Sequence, residues 1–142
     1  MGKVGQSAVV YLDANILIYL AEGAVEYQDA VEAQLRTLGA VSPRFITSEL
    51  SLAEVLVHPL RTNNKALIAV YEELFASFVR SETVSREVLY LAAQLRADTP
   101  SQRMPDAIHV ATATLAGAEV FLTGDQGIKN VPGTMALSVL QP

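Results

Sequence analysis

Apolar residues in this chain come in short blocks separated by longer amphipathic stretches, the pattern of strands alternating with helices. Residues 8–12 form an unbroken run with β-branched and aromatic side chains, which predicts a strand buried on both faces. Immediately after it, residues 16–20 read as a helix opened by Asp13 or Asn15 and stopped at Gly23. A second helix is predicted over residues 25–38, with Val31, Leu35 and Leu38 at helical spacing and Gly39 as its stop signal. Past Ser42 and Pro43, residues 44–47 are a second short strand. Ser48 then caps a helix carrying Leu50, Leu52, Ala53, Glu54, Val55 and Leu56, expected to end before Pro59 because proline disfavours a helical residue ahead of it.

The next helix, from Asn63 to about Ser77, places Leu67, Tyr71, Leu74 and Phe78 on one stripe. With the helix before it, it could form an arm or a subunit contact. Residues 78–83 alternate Arg80 and Glu82 with Val79 and Ser81, as an edge strand would. A helix over residues 85–97 turns Val88, Leu91, Ala92 and Leu95 inward. After the break at Thr99-Pro100-Ser101, Pro105 suits the start of an Ala-rich helix over residues 106–116, able to pack closely on a sheet. Val120-Phe121-Leu122-Thr123 is a strand, Gly124-Asp125-Gln126-Gly127 a turn, and residues 135–140 the last strand. The alternation predicts an α/β fold of three layers, α/β/α, around a central parallel sheet of about five strands.

A length of 142 residues suits a single domain spanning residues 1–142, and no repeat, low-complexity segment or linker divides it. The hydrophobic share of 51% fits a largely buried sheet and a subunit interface. Ten Lys plus Arg against fifteen Asp plus Glu give a net charge of -5, which excludes holding nucleic acid by bulk charge. A nucleic-acid role would rest on bound metal or on local arginines, of which Arg44, Arg61 and Arg103 lie near predicted element ends. With no cysteine, disulfides and thiolate metal sites are excluded. Lys3 followed by an apolar stretch superficially resembles a secretory signal, but Asp13 and Asn15 interrupt it, and no run reaches the roughly 20 apolar residues that span a bilayer. A cytoplasmic chain with no membrane role is expected.

In an open parallel sheet, ligands collect beyond the carboxyl ends of the strands. Asp13 and Asp125 fall just past two such ends, and Asp106 lies in the first turn of the helix that leads into the strand beginning at Val120. Glu54, on the helix after the second strand, is a fourth acid for the same edge. Carboxylates brought together repel, so such a cluster needs a cation, and oxygen donors without Cys or His favour Mg²⁺ or Mn²⁺. A metal there can lower the pKa of a water and stabilise charge on a phosphodiester under attack. Each acid also has an ordinary use. Asp13 or Asn15 can cap a helix, Asp106 can complement a helix dipole, Asp125 can shape a turn, and Glu54 can face solvent.

Glu49 competes with Glu54, but five residues of helix turn through about 140°, so both do not point at one ion; Glu54 is preferred. Thr123 and Asn15 could support the cluster by hydrogen bonding, although Thr123 also suits an ordinary strand position. His109, one turn after Asp106, reads as a packed core residue and is given no catalytic role.

The segments Tyr11-Leu12-Asp13-Ala14-Asn15, Leu52-Ala53-Glu54-Val55, Asp106-Ala107-Ile108-His109-Val110-Ala111-Thr112-Ala113 and Phe121-Leu122-Thr123-Gly124-Asp125, in this order, resemble a PIN-domain ribonuclease, more narrowly a VapC-type toxin of a toxin–antitoxin pair. The resemblance covers nearly everything from Val9 to Leu140. It implies a PIN-like fold, Mg²⁺- or Mn²⁺-dependent endoribonuclease action on RNA, a homodimer and a cognate antitoxin. Carried over by motif, Asp13, Glu54, Asp106 and Asp125 look like catalytic metal ligands, with Asn15 and Thr123 as their supports. Gly124 departs from the family pattern, which commonly has Asn there, and so leaves Asp125 the least secure ligand.

Two alternatives stand beside this. A haloacid-dehalogenase-like phosphatase would use Asp13 as nucleophile, but position 15 is Asn rather than the second acid, and Lys129 is the only late lysine available to it. The other is a non-catalytic PIN-like binding domain, since fold does not guarantee function.

Overall fold

The computed structural model describes residues 8–23, 25–37, 43–128, 131–133 and 135–140. Strands β1 (Val9–Leu12), β2 (Arg44–Ser48), β3 (Arg80–Glu82), β4 (Val120–Thr123) and β5 (Ala136–Val139) form one sheet in the order β3-β2-β1-β4-β5. Every pairing is parallel. The chain's first strand is therefore its central one, with Val10 opposite Phe45 on one side and Val120 on the other. Among the described residues, six α-helices cover the faces: α1 (Ala14–Glu22), α2 (Val25–Thr37), α3 (Glu49–Arg61), α4 (Lys65–Glu73), α5 (Arg86–Asp98) and α6 (Met104–Leu115).

Strand alternation distributes the apolar side chains between two cores. Val10, Leu12, Val120 and Leu122 pack with Ile16, Leu17, Val31, Val55 and Tyr71 from α1 to α4. Tyr11, Ile46 and Phe121 point the other way, against Val110 and Ala113 of α6. A third cluster, Val88, Ala92, Ala107 and Ala111, joins α5 to α6, where small side chains let the helices approach closely. This is the expected three-layer α/β/α arrangement, with β3 at an edge as its polar alternation predicts.

Two helix boundaries differ from expectation. Helix α3 runs through Pro59 to Arg61. Proline lacks an N–H and crowds the carbonyl of the preceding turn, but here it falls in the last turn, where little ladder remains to lose. Its ring is buried, and its own carbonyl accepts from the Asn64 N–H at 2.8 Å. Helix α4 begins only at Lys65, because Asn63 has φ 52° and Asn64 caps the helix through Leu67 N–H at 3.1 Å. It passes at Glu73 into a π-helical turn, Leu74–Phe78, rather than continuing as α-helix. Leu38, Gly39 and Ser42 lie outside the described residues. Among the described residues, no helix is long and apolar enough to cross a membrane.

Candidate functional site

Because β1 and β4 are parallel neighbours in register, Leu12 opposite Leu122, their carboxyl ends deliver Asp13 and Thr123 side by side. The Asp13 N–H donates to Leu122 O at 3.0 Å, extending the ladder by one step beyond the strand. The Asp13 residue is 5% exposed. Its Oδ1 accepts from the Ala14 N–H at 2.9 Å, and its Oδ2 accepts from Thr123 Oγ1 at 2.7 Å. Asn15 Nδ2 lies 3.4 Å from both Asp13 Oδ2 and Thr123 Oγ1. The other end of that amide, Oδ1, accepts from the Gly124 N–H at 2.8 Å, while the Asp125 N–H donates to Thr123 Oγ1 at 3.0 Å. Asp13 is thus the N-cap of α1 and, at the same time, the centre of a network that fixes the loop after β4.

Gly124 has a steric role in that network. A Cβ at this position would lie 2.7 Å from both Cε2 and Oη of Tyr19, so the ring occupies the space that a side chain would need. Tyr19 comes one helical turn after Asn15 and therefore shares its face of α1. Its ring packs at 4.9 Å on that of Tyr27 in α2.

The remaining groups come from α3 and α6. His109, 2% exposed, places Nε2 2.7 Å from Glu54 Oε1 and 3.7 Å from Asp13 Oδ1. Its Nδ1 lies 2.6 Å from the hydroxyl of Tyr11, a fully buried ring stacked at 4.9 Å on Phe121. Asp106, buried in the first turn of α6, pairs with Arg103 Nε at 3.2 Å. Asp125 Oδ1 accepts from the Gly127 N–H at 2.7 Å, the turn use foreseen for it. Glu49 is exposed at the start of α3.

The electrostatics follow from burial and company. Burial pushes the Asp13 carboxyl above its usual range; His109, Thr123 and the Ala14 N–H oppose this, and the charge of Asp106 adds to it. Burial works against a charge on His109, but the hydrogen bond to Glu54 and the charges of Asp13, Glu54 and Asp106 outweigh it and leave the imidazole pKa raised. Tyr11 is held well above its ordinary value, chiefly by burial, and keeps its proton. Arg103 is raised by its hydrogen bond to Asp106 and that residue's charge, with smaller contributions from Asp125 and Glu54.

The structure thus joins Asp13 to Asn15 and Thr123 directly, ties Glu54 to Asp13 through His109, and sets Asp106 within electrostatic reach of both Asp13 and His109. Among the described residues, no three acidic or histidine side chains close into a group placed to hold a metal ion; one oxygen of Glu54 meets His109, one of Asp106 meets Arg103 and one of Asp125 meets the Gly127 N–H. The donor chemistry nevertheless fits a hard divalent cation: the acids offer oxygen only, and a buried carboxyl with a second carboxylate near it is what such a cation would relieve. His109, read from the sequence as a packed residue, is packed and hydrogen-bonded, but its contacts with Glu54 and Asp13 were not anticipated. Its spacing from Asp106 put both on one helix face, and that was the available signal.

Of the three arginines singled out, Arg103 stands beside the acids; Arg44 opens β2 at the opposite sheet edge and Arg61 closes α3. A groove of about 640 Å³, lined in part by Arg44, Phe75, Phe78 and Arg80, shares no residue with the acidic site. Lys129 lies outside the described residues.

The PIN domain profile matches residues 10–134. Comparison of the sequence with curated proteins gives no match. Among solved structures, a chain of VapBC2 from Rickettsia felis, bound to a DNA fragment from their promoter, is similar with a TM-score of 0.73 and 18% identity, over 94% of this chain and 99% of that one. A chain of a toxin–antitoxin complex from Klebsiella pneumoniae has a TM-score of 0.62 and 25% identity, over 89% and 94% of the two chains. A chain of FitAcB from Neisseria gonorrhoeae has a TM-score of 0.66 and 18% identity, over 91% and 96%.

Proposed function

Because the chain belongs to the PIN domain family, we propose that it is a divalent-metal-dependent endoribonuclease and the toxin of a toxin–antitoxin pair. The observation that carries the nuclease reading is the buried Asp13 at the carboxyl edge of the sheet, tied to Thr123 and Asn15, with a second carboxylate, Asp106, close enough to raise its pKa. The 25% identity to a chain of the Klebsiella pneumoniae toxin–antitoxin complex supports a protein antitoxin as partner. A homodimer accords with the large apolar side chains exposed on α3 and α4, among them Val57, Leu60 and Val70.

Asp13 and Asp106, joined by Glu54 and Asp125, would hold Mg²⁺ or Mn²⁺. When bound, the ion supplies a water of lowered pKa and neutralises charge on the phosphodiester. The chain's own contribution is positional. Thr123 and the Ala14 N–H fix both oxygens of Asp13, and Asn15 locks the Gly124 backbone to the same carboxylate. Arg103, its side chain 72% exposed beside Asp106, offers a guanidinium to an RNA phosphate at the mouth of the site. That local charge suits a chain whose net charge is -5.

The phosphatase alternative finds no support in this geometry. Its second acid would stand at position 15, where the Asn15 amide is committed to Asp13, Thr123 and Gly124. Replacing Asp13 and Asp106 separately by Asn is expected to lower RNA cleavage in Mg²⁺ or Mn²⁺ by about a hundredfold or more, an effect of the size lost when a group central to transition-state stabilisation is removed. Full cleavage by either correctly folded variant would remove that residue from the proposed site. Absence of cleavage by the unaltered protein, together with no calorimetric metal binding, would favour the non-catalytic binding domain.

A further inference from the structure

We propose that His109 is a positioning residue: its imidazole holds the Glu54 carboxylate at the sheet edge beside Asp13, so that both acids face one divalent cation. The inference rests on the nuclease reading above and assigns a role to a residue that reading does not use.

Glu54 projects from α3 between exposed Ala53 and buried Val55, and its own side chain is 35% accessible. A glutamate in that setting ordinarily samples several rotamers. The contact that restrains it is His109 Nε2, at 2.7 Å from Oε1. The same nitrogen is 3.7 Å from Asp13 Oδ1, so an oxygen of each carboxylate neighbours one atom, although α1 and α3 diverge from different strands. The ring itself is not free to turn. It is 2% exposed, and the Tyr11 hydroxyl holds Nδ1 at 2.6 Å from a strand whose side chain is stacked on Phe121. If the hydroxyl donates to Nδ1, Nε2 carries the hydrogen that Glu54 accepts.

Both ring nitrogens are engaged, which satisfies them where they are buried and fixes the orientation of the imidazole. An apolar side chain would occupy the same space without the cost of burying two polar atoms. The arrangement instead matches the outer contacts that orient metal ligands, whose loss typically costs 10- to 100-fold in affinity.

The two ends of the imidazole can be tested apart. His109→Gln puts an amide nitrogen near the place of Nε2, His109→Asn puts one near Nδ1, and His109→Leu keeps volume alone. Each variant is titrated with Mn²⁺ by calorimetry at one fixed pH, beside the unaltered protein and Asp13→Asn, and each is checked for cooperative thermal unfolding. The Gln variant is expected to bind Mn²⁺ within about threefold of the unaltered protein, and the Asn and Leu variants to bind about tenfold more weakly. Equal Mn²⁺ affinity across the Gln and Asn variants, or retention by Asn and loss by Gln, overturns the positioning role; this comparison stands even if the Leu variant fails to fold. Binding abolished by Asp13→Asn but indifferent to position 109 removes the His109 role and leaves the nuclease reading intact. No Mn²⁺ binding by the unaltered protein removes both.

Discussion

At Asp13, two demands on one carboxyl group meet. Burial raises its pKa, while a nuclease would need it ionised. His109 faces it, and despite burial its carboxylate neighbours raise its pKa and so favour its protonated form. Both shifts tilt stability in the same direction. An imidazole whose folded pKa lies above its ordinary 6.5 contributes fully below that value, and its contribution is lost as pH rises through the folded value. A carboxyl raised above 3.8 likewise favours the folded state while protonated and ceases to do so as it ionises. The metal-free protein is therefore expected to melt at lower temperature as pH rises from about 6 to about 8.5, and His109→Asn to flatten that slope. Scanning calorimetry in chelator-treated buffer measures it, and a melting temperature that climbs over this interval would contradict the assignment. Added Mn²⁺ should reduce the same slope, since a cation takes over the neutralisation of Asp13. Asp13, Asn15 and Thr123 could be singled out from sequence because they lie at the ends of strands that the apolar runs mark clearly. The place of His109 could not, because its partners lie 55 and 98 residues away and an Ala-rich helix gives no hint of which ring nitrogen meets which group.

Between elements, the contact of α1 with the loop after β4 is set by what Gly124 lacks. Gly124→Ala places a methyl group where the Tyr19 ring lies, and is expected to cost about 1–3 kcal/mol, the usual range for overpacking. Combining it with Tyr19→Ala should recover part of that loss, so that a double-mutant cycle by urea unfolding reports a coupling of at least about 0.5 kcal/mol. Additive effects would mean that the loop moves aside freely. Helix ends are less legible in the sequence than helix faces. The stripe Leu67, Tyr71, Leu74 and Phe78 packs on the core as its spacing predicts, yet α4 ends at Glu73 because a π-helical turn carries the chain from there to Phe78. Pro59 costs α3 one ladder bond near its end, and the helix closes two residues later at Arg61 rather than before the proline.

For the molecule as a whole, alternating apolar runs sufficed to predict a parallel sheet between helices, because βαβ connections leave few arrangements. Strand order was not readable from them. That β1 is central, between β2 and β4, depends on which strands meet across more than a hundred residues, and no local pattern encodes it. Such pairings are slow to close, so folding in the millisecond-to-second range is expected in stopped-flow refolding; complete refolding within microseconds would be at odds with this topology. A chain cut after Ala118 loses β4 and β5 and leaves β1 with an open edge. It is expected to unfold without a cooperative transition and to show no RNA cleavage.

The position of β1 also bears on how the protein is made. Asp13 leaves the ribosome well before the hydroxyl that holds it, which belongs to Thr123, 110 residues later in the chain. A growing chain therefore carries the first acid of the proposed site throughout its synthesis without being able to assemble that site. On this topology, the proposed site cannot assemble in an incomplete chain until β4 has emerged and paired beside β1.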